Sequence, residues 1–414
     1  MLACGSMRAT PLPIPPGWLP EAESLWRAGQ RLPAIQAAVA AINTLGPDKP
    51  APRVLQLGYY LYLINDFAGA ATVLEQLVRQ QPDHVEGLMN LAVCRQRLQQ
   101  HGQVLALADR ALALQPGAPL ALDLRTKSLY RLGREDEARA AGAASLHAKD
   151  AALPEPARPW VPPDARPDEV CAGKTDVIAF SLWGANPRYL RGALRNALLV
   201  ADLYPGWVMR LYCDATVPEP FLAALRTLQV DVRLQPPGQS LRQRLCWRFA
   251  VANDPLVGRF LVRDCDSVFS LRECAAVDEW RASGRWFHVI RDWWTHTDLM
   301  LAGLWGGVAG GLPDLGALLA TYQSGRAETP NIDQWFLRDR VWPLVRHHVL
   351  VHDRCFDVPG RRPLPAPAGN VHIGQDEHAA HPQRQRLLLA AWIAQLPCLQ
   401  GAEDPTPTAG ARPA

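Results

Sequence analysis

The sequence predicts two folded parts in one chain: an amino-terminal solenoid of paired helices, then an α/β domain with a mainly parallel sheet. Three observations predict it. Residues 17–150 repeat with a period of 34. Six prolines crowd residues 151–173. From residue 176 onward, short apolar runs alternate with helical periodicity, the pattern of strands buried on both faces between crossover helices.

The period is carried by small residues and prolines. Gln81-Pro82 returns as Gln115-Pro116, Leu57-Gly58 as Leu91-Ala92, and Ala70 as Val104 and then Ala138. Gly58, Ala92 and Ala138 let paired helices approach closely, while Leu57, Leu74, Leu91 and Leu98 fill the seam. Proline just past a second helix stops it, because proline cannot donate the next hydrogen bond. Gly46-Pro47 closes an earlier, less regular unit. The pattern resembles the tetratricopeptide repeat, a pair of antiparallel helices per 34 residues, here in roughly four units with degenerate outer ones. Such a solenoid is either a packing module or a concave surface for a substrate or protein partner, which Tyr59, Tyr60 and Tyr62 would line.

Pro154, Pro156, Pro159, Pro162, Pro163 and Pro167 then read as an extended, stiff linker. Strands follow at Val177–Leu182, Val208–Tyr212, Val230–Leu234, Arg259–Val262 and Phe287–Ile290. Helices are expected over Tyr189–Leu203, Phe221–Leu228, Leu241–Ala252, Leu271–Ser283 and Pro382–Leu396. The expected organisation is a loose start (1–16), repeats (17–150), linker (151–173), α/β domain (174–398) and loose tail (399–414).

Composition narrows the function. The 414 residues are 48% hydrophobic and 20% charged, as in a globular protein. A net charge of +3 excludes the overall basic footprint of nucleic-acid binding. No apolar run approaches the ~18 residues of a membrane span. The nine cysteines are scattered without a CxxC pair, which argues against a disulfide framework or cysteine zinc site. Met1-Leu2-Ala3-Cys4-Gly5 lacks the charged start and apolar stretch of a signal peptide, so a cytoplasmic location is expected.

The chemistry centres on Val262-Arg263-Asp264-Cys265-Asp266-Ser267. Two carboxylates stand two positions apart, directly after an apolar strand. In α/β sheets that carboxyl edge is where ligands bind. Alternate residues of an extended segment point the same way, so both carboxylates can face one hard cation, magnesium or manganese. Such an ion would bridge a diphosphate and neutralise it as it leaves.

Neighbouring stretches strengthen this. They are Phe180-Ser181-Leu182-Trp183-Gly184, Tyr204-Pro205-Gly206-Trp207, Trp247-Arg248-Phe249, Ala276-Val277-Asp278-Glu279-Trp280, Phe287-His288-Val289-Ile290-Arg291-Asp292, Gly303-Leu304-Trp305-Gly306-Gly307 and Asp333-Gln334. Together with the aspartate pair, over about 177–377, they resemble GT-A fold glycosyltransferases, Rossmann-like enzymes with a DxD motif. The resemblance implies a metal-dependent transfer of sugar from a nucleotide-sugar donor to a saccharide, protein or lipid-linked acceptor. It implies that Asp264 and Asp266 hold the metal and diphosphate. Ser181 and Trp183 would approach the base and ribose, Arg248 the diphosphate, and Trp305, Gly306 and Gly307 would wall the sugar and acceptor site. His372, in Val371-His372-Ile373-Gly374, would complete the metal shell, with His352 as its rival.

Asp292 and Asp333 are the candidates for the reacting centre, where an inverting enzyme needs a carboxylate base and a retaining enzyme needs only a carboxylate that steadies positive charge on the sugar; the sequence does not choose between them. Asp333 would serve equally as a helix cap near Gln334, and Asp292 as an ion-pair partner of its neighbours. Two alternatives stand beside the transferase. Asp264-Cys265-Asp266-Ser267-Val268 also fits the DxDx[TV] pattern of haloacid-dehalogenase-type phosphatases. That motif normally follows a first strand and needs a downstream lysine, and none follows Lys174. Alternatively, the repeats are the working part, a scaffold beside an inactive transferase-like domain.

Overall fold

The computed structural model describes residues 13–46, 49–156, 159–324, 329–367, 369 and 371–400. Residues 1–12 of the expected loose start, Pro47 and residues 401–414 of the expected tail lie outside the described residues. The chain forms two compact units, Met1–Ala148 and Lys149–Ala414.

The first unit is all helical. Its helices are α1 (Pro20–Arg27), α2 (Arg31–Asn43), α3 (Ala51–Leu63), α4 (Phe67–Gln80), α5 (Val85–Arg97), α6 (His101–Leu114), α7 (Pro119–Arg131) and α8 (Glu135–Ala151). The starts of α3, α5 and α7 are 34 residues apart, as are those of α4, α6 and α8. The helices pair as tetratricopeptide-like hairpins. The residues that carry the period are the buried ones: Ala70, Ala92, Val104 and Ala138 are all at 0% exposure. A Cβ on Gly58 would press to 3.1 Å from Leu74, so glycine sets the α3–α4 spacing. Helices α4 and α6 each stop two positions before a proline, Pro82 and Pro116. Of the three tyrosines, Tyr60 is core. It stacks on Trp26 at 4.3 Å, donates to Glu23 Oε2 (2.8 Å) and accepts from Gln56 Nε2 (2.8 Å). Tyr59 is partly exposed and Tyr62 packs on Phe67.

In the second unit the proline-rich stretch packs onto the α/β fold. Trp160 meets Trp286, Phe287 and His348 edge-on at 5.5, 5.1 and 4.9 Å. A short helix, α9 (Pro167–Cys171), brings Asp168 onto Arg259. Then follow β1 (Thr175–Leu182), α10 (Pro187–Leu203), β2 (Trp207–Cys213), α11 (Glu219–Thr227), β3 (Asp231–Leu234) and α12 (Leu241–Cys246). A 3-10 turn (Trp247–Asn253) leads into β4 (Val257–Arg263), α13 (Leu271–Ser283), β5 (Phe287–Arg291), β6 (Leu304–Val308), α14 (Leu315–Ala320), α15 (Ile332–Phe336) and β7 (Val349–Asp353).

These strands form one mixed sheet in the order β3-β2-β1-β4-β6-β5-β7. All neighbours are parallel except β6, which runs against both β4 and β5. Helix starts follow local chemistry. Asn186 caps α10 ahead of Pro187, Ser240 and Gln243 form a capping box at α12, and Ser270 caps α13. Gly284, at φ +67, ends α13. The core beneath α10 gathers Ile178, Phe180, Leu190, Leu194, Leu211 and Leu261.

Four elements differ from the sequence expectation. The helix expected over Leu241–Ala252 tightens to 3-10 geometry at Trp247. The helix expected over Pro382–Leu396 breaks at Leu389 into two short ones. Strands β6 and β7 are additional.

Candidate donor-binding site

The chain leaves β1 toward β2 on one side and returns through β4 on the other. Ligand sites of open α/β sheets lie at such a reversal, beyond the carboxyl ends of the strands. Here it opens a cavity of about 930 Å³. Its lining includes Ser181, Trp183, Arg188, Arg248, Asp264, Asp266, His296, Asp298, Gly303 and Asp333. Five of the residues expected at the donor and metal site (Ser181, Trp183, Arg248, Asp264 and Asp266) therefore meet in one cleft with one expected reacting carboxylate, Asp333.

Arg248 is the hub. Its side chain is only 4% exposed. One guanidinium nitrogen donates to the Arg263 carbonyl at 2.7 Å and bonds Asp264; the other lies 3.1 Å from Asp333 Oδ2. Its backbone N–H donates to Ser181 Oγ at 3.0 Å, which ties the end of β1 to the 3-10 turn before β4. Trp183 meets Trp247 edge-on at 6.2 Å.

Asp266 is largely buried and lies 2.6 Å from Arg188 Nη2. Burial pushes its carboxyl above the usual range, the Asp264 charge adds to this, and Arg188 opposes it. Burial likewise pushes Asp333 up to about 6, against the pull of Arg248. Asp333 sits inside α15 rather than at its cap, although its Oδ1 accepts the Gln334 N–H at 2.9 Å.

Glycines make this geometry possible. A Cβ at Gly192 would overlap the Cys265 carbonyl, so only glycine lets α10 lie directly on the aspartate loop. A Cβ at Gly303 would strike Asp264 Oδ2.

Other expected residues are placed elsewhere. Trp305, Gly306 and Gly307 do not line the cavity. Because β6 is antiparallel, its first residue Leu304 is level with Arg263, while Trp305 to Gly307 pair with Val262 to Phe260 inside the sheet. Trp305 packs on Phe249 and Phe260. The two glycines leave room for the Phe260 carbonyl and the Phe287 ring. The wall is instead Ala302, Gly303 and Leu304.

Asp292 is fully buried and serves structure. It accepts from Arg272 (2.7 and 2.8 Å), from Arg354 Nε (2.7 Å) and from the Ile373 N–H (2.8 Å), which leaves no oxygen for an acceptor.

His372 joins Trp293, stacked at 4.5 Å, and His296, at 5.4 Å, and is not a lining residue of the aspartate cleft. Burial holds it neutral, pushed down to about 4. His352 is buried on β7 between His288 (2.8 Å) and Glu279 (3.1 Å). Among the described residues no group of three or more His, Cys, Asp or Glu is gathered to hold a metal ion.

The structure adds residues that the sequence did not single out: Arg188, Gly192, His296, Gly303 and Asp376. Arg188 follows an Asn-Pro helix start, but its partner Asp266 lies 78 residues away. His296 Nδ1 accepts the Asp292 N–H at 3.0 Å, which leaves the ring proton on Nε2.

No family model matches the chain, and no curated protein matches it. Among solved structures, MamA is 16% identical with a TM-score of 0.30, covering 32% of this chain and 77% of that one. MamA from Desulfovibrio magneticus RS-1 is 14% identical with a TM-score of 0.29, covering 32% and 77%. The type III secretion chaperone SycD of Yersinia enterocolitica, solved with a peptide of the translocator YopD, is 16% identical with a TM-score of 0.23, covering 23% and 73%. No helix among the described residues is long and apolar enough to cross a membrane.

Proposed function

We propose that the α/β unit is a glycosyltransferase domain of GT-A type that takes a nucleotide sugar, while the helical repeats hold the acceptor or a protein partner. The observation that carries this reading is the aspartate pair beyond β4, lining a cleft at the strand reversal beside two arginines. Arginine suits phosphate oxygens, and the tryptophan of the β1 turn offers a flat face to a base.

The residues fit a divalent cation through their chemistry. Four lining carboxylates (Asp264, Asp266, Asp298 and Asp333) outnumber two guanidinium groups (Arg188 and Arg248), so the cleft repels a diphosphate unless a cation joins it. Asp264 and Asp266 supply hard oxygens, and magnesium is commonly held by one or two carboxylates plus substrate phosphates. Bound there, magnesium or manganese would neutralise the departing diphosphate.

The chain does the rest. Arg248 holds Asp264 and Asp333 in place and adds positive charge to the wall that a diphosphate would meet, Trp183 would orient the base, and Gly303 leaves room for the Asp264 carboxylate. In transfer the bond from the anomeric carbon to phosphate oxygen breaks as a bond to the acceptor oxygen forms. Asp333 would take the acceptor proton, since at neutral pH its carboxyl is ionised yet more basic than usual. A cytoplasmic location belongs to the same proposal.

A second reading rests on the ion pairs. Asp264 and Asp266 each already hold an arginine, as they would in a domain that has lost catalysis and supports a protein-binding solenoid. The phosphatase reading has no such support. The motif follows β4, and Asp264, its would-be nucleophile, bonds Arg248. Calorimetric titration of nucleoside diphosphates with Mn²⁺ into the wild type and Asp266→Ala separates transferase from scaffold.

A further inference from the structure

Arg188 stands in the first turn of α10, where the Asn186 cap and Pro187 fix the helix start. A single nitrogen, Nη2, lies 2.6 Å from Asp266 Oδ2 and 3.0 Å from Asp376 Oδ2. Asp376 arrives on a separate segment. The Glu377 N–H donates to the Asp266 carbonyl at 3.0 Å, and Ser267 bridges to Asp376. The guanidinium thus joins two carboxylates from two strands of chain, as a cation would. Its Nε has no hydrogen-bond partner among the described residues. Arg188 also lines the cavity and is 38% exposed, so it can leave without unpacking the core; Arg248, at 4%, cannot.

We propose that Arg188 is the resident counter-ion of this site: it holds Asp266 and Asp376 until a divalent cation, arriving with a diphosphate, takes the place of the guanidinium between those two carboxylates and frees it for phosphate oxygen. The proposal rests on the donor-site reading above. It adds Asp376 as a carboxylate of the cation seat and makes metal entry an exchange of one positive group for another.

The test uses the full chain and Mn²⁺ alone, with free Mn²⁺ read by electron paramagnetic resonance. Arg188→Ala should bind Mn²⁺ about tenfold or more tightly than the wild type, because two facing carboxylates lose their positive partner. Arg188→Lys keeps a point charge and should behave like the wild type. Adding Asp376→Asn to Arg188→Ala should abolish the gain. Equal Mn²⁺ affinity in Arg188→Ala and wild type would overturn the counter-ion role, as would a gain that survives Asp376→Asn. A parallel titration with nucleoside diphosphate and Mn²⁺ addresses the donor site. If no nucleoside diphosphate binds, the donor-site reading falls and the exchange with it, whereas the metal-only result judges Arg188 by itself.

Discussion

Replacing Asp333 by asparagine should stabilise the α/β unit at neutral and alkaline pH while impairing its function. The carboxyl is pushed up to about 6, chiefly by burial, whereas an unfolded aspartate titrates near ~3.9. Between those values the folded chain keeps a proton that the unfolded chain has released, so stability falls as pH rises through that window. Below it both states are protonated, and above it the penalty is complete. Each tenfold of proton affinity is worth about 1.4 kcal/mol, which gives about 3 kcal/mol for the full window. Asparagine resembles the protonated side chain: it can still accept the Gln334 N–H and carries no charge to desolvate. Thermal unfolding of wild type and Asp333→Asn should nearly coincide near pH 4, diverge between about pH 4 and pH 6, and stay apart by a constant margin above pH 6. At roughly 2–4 °C per kcal/mol for a domain of this size, the variant should melt higher by about 6–12 °C at pH 8. Parallel pH profiles, or a variant less stable at pH 8, would refute the reasoning. Gain of stability on loss of a functional group is the expected trade when a site holds a charge its surroundings disfavour.

Two further outcomes follow from the packing. Gly192→Ala should force α10 off the aspartate loop, costing about 1–3 kcal/mol of overpacking and weakening nucleotide binding, checked by urea unfolding and calorimetry; wild-type behaviour in both would count against the close approach. Asp292→Asn should destabilise by about 3–5 kcal/mol, since it leaves Arg272 and Arg354 facing no charge, and a variant of normal stability but no turnover would instead return Asp292 to the reacting centre.

The parts of the fold that were legible in the sequence are those where one residue type has one physical use. The repeats show because Gly58, Ala92 and Pro82 are required at fixed offsets. Helix α13 shows at both ends, through the Ser270 cap and Gly284. Strand β6 was hidden because two adjacent glycines, Gly306 and Gly307, are poor strand formers by themselves, yet they are glycine to make room for Phe260 and Phe287 across the sheet. Its reversed direction then moved the expected wall from Trp305 to Gly303. Strand β7 was hidden because its five residues include His352 and Asp353, which are buried only through partners on other elements, Glu279 and Arg291. In the site, Asp264 and Asp266 announce themselves by spacing after an apolar run. Arg188 and Asp376 do not, since their role exists only where α10 and the 371–377 segment meet that loop.

The most direct measurement is calorimetric titration of a panel of nucleoside diphosphates, with Mn²⁺ present, into the full chain and its Asp266→Ala variant. At least one diphosphate should bind the wild type, and Asp266→Ala should weaken it by about tenfold or more, the worth of a charged contact to a phosphate-bound cation. Absence of binding to the wild type, or equal binding to both proteins, would contradict a donor site built on these aspartates.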